Sequence, residues 1–74
     1  MMAEKTVWEA RAGNLLKAEL KRKGLTYAGL VEKLAHIGLD EKEANIRNKL
    51  SRGKFTAAFL LACFDAIEVT EVRL

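Results

Sequence analysis

Seventy-four residues, 50% of them hydrophobic and 31% charged, describe one small globular domain rather than a disordered chain. A single Cys and a single His exclude an internal disulfide and a zinc site built from several such ligands. No stretch approaches the roughly 18 apolar residues of a membrane span, and "MMAEKTVWEA" lacks the apolar centre of a signal peptide, so a cytoplasmic protein is expected.

The chain has no proline, and Ala, Leu, Lys and Glu dominate it, a balance that favours helices. "TVWE" (6–9) has the spacing of a capping box, with Thr6 as N-cap and Glu9 reaching back to it. Trp8, Ala12, Leu15, Leu16 and Leu20 continue as a helical stripe to about Lys23, and Gly24 closes it. Thr26 caps a second helix in which Tyr27, Leu30, Val31 and Leu34 share one face, ending near Ile37 before Gly38. Asp40 and Glu43 repeat the capping-box spacing and predict a third helix from about Glu41, with Ile46 and Leu50 inward and Gly53 as its stop. Thr56 caps a last helix over about 56–68, apolar on nearly every side and therefore wrapped by the others or shared with a second chain.

The expected architecture is an all-α single domain over 1–74, with connections of two to five residues. It has four helices, or five if the tail "VTEVRL" (69–74) adds a turn; a short strand is the other reading of that tail.

Charge is unevenly placed. Residues 17–54 hold ten Lys or Arg against five acids, and the run "NIRNKLSRGK" (45–54) holds four cations and no acid. With Ile46 and Leu50 inward, Asn45, Asn48 and Arg52 fall together on the outer face of the third helix, with Arg47 and Lys49 on opposite flanks. Asn pairs bidentately with adenine and Arg with guanine, and flanking cations suit phosphates. A solvated Lys/Arg-rich surface is the plainer explanation of the same residues. Glu41 argues for that explanation, because an acid at the start of a reading helix repels phosphate.

The order of elements resembles the helix-turn-helix of the Cro/phage-repressor-like superfamily. "LTYAGLVEKL" (25–34) stands for its first helix, "GLD" (38–40) for the turn, "IRNKLSRGK" (46–54) for the recognition helix and "TAAFLLACFDAIEV" (56–69) for the closing helix. The motif core is 25–54. From Leu30 to Ile46 the chain is about five residues longer than the compact motif of that superfamily, and Val31 stands where a small Ala is preferred. More narrowly, "LKRKGLTYAGLVEKL" with "NIRNKLSRGKFTAAFLL" is similar to short bacterial proteins known only as a domain of unknown function.

The superfamily resemblance implies a transcriptional regulator or accessory factor that binds double-stranded DNA, without enzyme activity. Asn45, Asn48 and Arg52 would read bases, and Arg47, Lys49, Lys54 and Tyr27 would hold phosphates. Phe59, Leu60, Leu61 and Phe64 of the closing helix would form a homodimer interface. Lys17 and "KRK" (21–23) lie within reach of a backbone alongside, or are solvated charges. Trp8, Phe55, Phe59 and Phe64 read as core or interface, Cys63 as a small buried residue, and His36 as a favourable charge at a helix end. No phosphate loop, nucleophile–base pair, metal site or cofactor motif is present. The rival expectation is a repressor-fold interaction module that turns the same basic surface to a protein or RNA partner.

Overall fold

The computed structural model describes residues 5–74; residues 1–4, part of the expected domain, lie outside the described residues. Four helices follow one another: α1 (Val7–Lys23), α2 (Tyr27–His36), α3 (Glu43–Arg52) and α4 (Ala57–Ala66). No strand occurs among the described residues, and 69–74 form neither a further helical turn nor a strand. The all-α class expected from the sequence is the class observed.

Three helices start where a threonine oxygen can satisfy an otherwise orphan amide. Thr6 Oγ1 accepts the Glu9 N–H at 3.1 Å, and Glu9 Oε1 accepts the Thr6 N–H at 2.8 Å, completing the capping box. The Thr6 amide also holds the Glu9 carboxyl below its ordinary pKa, so the box weakens only as pH falls through that lowered value. Thr26 and Thr56 accept from Gly29 and Phe59, each at 3.0 Å.

The third helix departs from expectation. It begins at Glu43 rather than Glu41, its N-cap is Lys42, and no side chain caps it. Asp40 is an exposed linker residue. A tertiary ion pair overrides the local signal: Lys49 Nζ binds Glu41 Oε2 at 2.8 Å, and Lys42 is extended, at φ −101° and ψ 144°. The α2–α3 connection consequently runs from 37 to 42, longer than the two to five residues expected.

One pair of side chains from each of the first three helices builds the core, always at i, i+4: Leu16 and Leu20, Leu30 and Leu34, Ile46 and Leu50. Cys63, Phe64 and Ile67 close it from α4. Trp8, placed in the α1 stripe, is instead 69% exposed, because it sits about two turns before Leu15 and Leu16, the first α1 side chains that reach the core. Beyond α4, Glu68 takes a left-handed φ of 62°, the conformation that Gly24, Gly38 and Gly53 supply after the other three helices.

α1 and α3 meet backbone to backbone. A Cβ on Gly13 would stand 2.5 Å from the Leu50 carbonyl oxygen, and one on Gly53 would stand 1.9 Å from that of Glu9. Gly53 also has a φ of +68°. Gly24 has a φ of +71° with nothing within 4 Å, and so separates conformational strain from collision. Urea denaturation should therefore place Gly24→Ala about 1 kcal/mol below the parent protein. Gly53→Ala should lose at least about 3 kcal/mol, since overpacking adds to the same strain. Equal losses would mean that the close approach carries no stability.

A second comparison separates the cap that formed from the one that did not. Thr26→Ala should cost about 1 kcal/mol, whereas Asp40→Ala should leave the thermal midpoint within the error of the measurement. A loss at Asp40 matching that at Thr26 would restore the earlier start of α3.

Candidate nucleic-acid interface

α3 is held from behind. Ile46 and Leu50 are buried against the core, and Leu50 and Gly53 touch the α1 backbone. The opposite face is therefore turned to solvent, and Asn45, Asn48 and Arg52 are all exposed on it. None of the three side chains has a hydrogen-bond or ion-pair partner among the described residues.

The flanking cations are differently placed. Arg47 donates to Glu43 Oε2 at 2.7 Å across one helical turn, and its guanidinium lies 5.8 Å from the centre of the Tyr27 ring. Lys49, bound to Glu41, also sits 4.4 Å above the Phe59 ring, so it ties α3 to the α2–α3 linker and to α4. Lys54 Nζ is 3.9 Å from Glu9 Oε2. All four residues assigned to phosphates thus have neighbours within the chain: three cations beside acids, and Tyr27 half-buried below Arg47. Exposed pairs of this type contribute little and exchange readily, but Lys49 and Glu41 are partly buried.

Glu41 therefore faces Lys49, and the acid in the first turn of α3 is Glu43, occupied by Arg47. The expected repulsion at the start of the helix is offset on both counts.

The "KRK" run (21–23) does not act as a block. Arg22 lies 3.4 Å from Glu19, a buried acid, and Lys23 donates to the Glu68 carbonyl at 3.3 Å. Lys21 instead joins Lys17, one turn earlier on α1, along a cleft of about 440 Å³ that Leu20, Leu25, Thr26 and Tyr27 also line. Arg47 lies over the Tyr27 ring, so cations of α1 and of α3 flank the start of α2. The i, i+4 spacing of Lys17 and Lys21 was the available signal for the α1 pair.

On α4, Phe64 is only 6% exposed and belongs to the chain's own core, while Phe59 and Leu60 are half-buried. Leu61, at 66% exposure, is the one member of the expected dimer set that is exposed rather than buried or half-buried. Among the described residues no group of three His, Cys, Asp or Glu side chains could hold a metal, and no helix is long and apolar enough to cross a membrane.

The chain matches the model of a family described as a domain of unknown function, DUF6471, over residues 8–72. That span takes in all but the first residue of the four-helix frame. The chain belongs to this family. No curated protein and no solved structure matches it.

Burial pushes the Cys63 thiol up to about 12, and the nearby Glu41 carboxylate adds to the effect. The thiol stays protonated in the folded chain after an unfolded one has ionised. Its contribution to stability is full below the ordinary value of 9.0 and declines as pH rises toward the folded value. At pH 8, an aromatic disulfide reagent should modify the native protein at least about 100-fold more slowly than the urea-denatured chain. Equal rates would show Cys63 to be accessible.

Proposed function

We propose that this chain is a small, non-enzymatic DNA-binding protein of helix-turn-helix type, acting as a regulator or accessory factor. The observation that carries the reading is the outer face of α3, where Asn45, Asn48 and Arg52 stand exposed and unpartnered among the described residues. Amide and guanidinium groups on one helical face are what adenine and guanine edges require in a major groove. Lys17 and Lys21 beside Tyr27, with Arg47 over that ring, support the reading, since they offer a phosphate backbone contacts from three helices. In this arrangement α2 and α3 are the two helices of the motif, and Lys54 flanks its far end after releasing Glu9. Lys49 is primarily a structural tether and reaches a phosphate only by leaving Glu41.

A second reading is favoured by one specific observation, the pairing of Arg47, Lys49 and Lys54 with acids of the same chain. Each pair lowers the bare charge offered to a polyanion. An interaction module for a protein or structured RNA, keeping the fold without DNA readout, accommodates that arrangement.

Duplexes selected from a random pool, titrated across a salt series, distinguish the readings. Lys17→Ala, Lys21→Ala and Arg47→Ala should weaken selected and scrambled duplexes alike, and each should lower the salt slope by about one. Asn48→Ala and Arg52→Ala should cost about 1–3 kcal/mol on the selected duplex only. Uniform losses at all five positions would reduce the surface to a charge patch. Absence of binding by the parent protein at low salt would leave the interaction module.

A further inference from the structure

We propose that the cleft between α1, α4 and the C-terminal tail is a docking groove for an acidic amphipathic helix of a partner protein. The groove encloses about 570 Å³. Trp8, Ala12, Leu15, Leu60 and Leu74 form its apolar surface, and Arg11 and Arg73 also line it. Trp8, beyond the reach of the core, is 69% exposed at this groove. An exposed tryptophan beside an apolar groove is a common anchor of protein interfaces. The Arg11 guanidinium lies 5.4 Å from the Trp8 ring centre and donates to the Leu74 carbonyl at 3.4 Å. Neither arginine pairs with an Asp or Glu side chain among the described residues, in contrast to the paired cations around α3.

Shape and charge together define the occupant. A concave groove between two helices suits a third helix, with leucine-like anchors at i, i+3, i+4 and i+7 entering it. Two guanidiniums that no Asp or Glu side chain occupies among the described residues select carboxylates on that helix's flanks. A flat anionic lipid surface would need the apolar residues on a projecting face rather than within a cleft. A second copy of this chain is a poor occupant as well. The i, i+4 apolar pairs of α1, α2 and α3 are buried in the core, and α4 presents only Leu61 among its large exposed side chains.

The groove is independent of the nucleic-acid surface. Trp8 and Leu15 lie about half a turn around α1 from Lys17, at 100° per residue, so the two surfaces occupy opposite flanks of one helix. The proposal therefore stands whether or not the chain binds DNA.

Trp8 is the only tryptophan, which makes its emission a reporter of the groove. The test uses a designed helical peptide of about 16 residues, with leucines at the four anchor spacings and glutamates on its flanks, and a twin carrying lysines instead. Titrated into the full chain, the glutamate peptide should shift Trp8 emission to the blue and saturate in calorimetry, and the lysine twin should do neither. Arg11→Glu and Arg73→Glu should each weaken the glutamate peptide about tenfold or more, and together should favour the lysine twin. Circular dichroism checks that each variant is folded, and Arg11→Gln with Arg73→Gln provides a milder loss of charge if a reversal disturbs the fold. Equal binding of the two peptides, or an unmoved Trp8 at saturating peptide, overturns the proposal. So does a concentration-dependent Trp8 shift with dimer sedimentation and no peptide, or a shift with phosphatidylserine vesicles alone.

Discussion

The close approach of α1 and α3 is the constraint on which the rest of the structure depends. α3 buries only Ile46 and Leu50, too little apolar surface to hold a ten-residue polar helix in place by itself. It is held because Gly13 and Gly53 remove the side chains that would keep two backbones apart, extending dispersion contact along the main chain. The same junction is tied at its end. Lys5 Nζ donates to the Ser51 carbonyl at 2.9 Å, and Glu9 presents its carbonyl to Gly53 and its carboxylate to Thr6, with Lys54 nearby. The residue that completes the cap of α1 thus also positions the last turn of α3. Fixing α3 from behind leaves its Asn45, Asn48 and Arg52 face outward.

How far the fold could be read from the sequence follows from where each cause lies. Thr6, Thr26 and Thr56 act on amides three residues away, so local reading found all three caps. The i, i+4 leucine and isoleucine pairs are equally local and located the core of the first three helices. Asp40 and Glu43 had the right spacing for a box, but the Glu41–Lys49 pair is set by how the linker crosses α3 and α4. Gly13 carried no local signal at all. Within a helix it reads as a mild propensity defect, and its reason is the Leu50 carbonyl on another element. Trp8 matched the helical period but lies beyond the reach of the core, which no periodicity can express.

The candidate site divides in the same way. Periodicity alone put Asn45, Asn48 and Arg52 on one face, because that depends only on Ile46 and Leu50 pointing inward. The condition of the neighbouring cations was not legible, since Arg47, Lys49 and Lys54 meet acids supplied by their own helix, the preceding linker and α1 respectively. Counting charges in "NIRNKLSRGK" consequently overstates the field of that surface. Exposed pairs such as Arg47–Glu43 exchange at small cost, so an array of phosphates could displace several at once where a single carboxylate would not. Pairing of this kind lowers non-specific attraction more than it lowers binding to a ligand that also engages the asparagines.

α1 would then serve as the spine between two differently charged encounters. Its Lys17 and Lys21 flank faces the start of α2, and its Trp8 and Leu15 flank faces α4. The diameter of a helix with its side chains is about 10–12 Å. That is comparable to a Debye length of about 8 Å at physiological ionic strength, so charges on the two flanks are substantially screened from one another. If the chain binds nucleic acid as proposed, an acidic helix in the groove would leave that affinity nearly unchanged at physiological salt. At low ionic strength, where the Debye length grows to about 30 Å at 0.01 M, the same helix would reduce it measurably. Any larger coupling would have to pass mechanically through the Gly13–Leu50 and Glu9–Gly53 contacts, because these join the Trp8 end of α1 directly to α3.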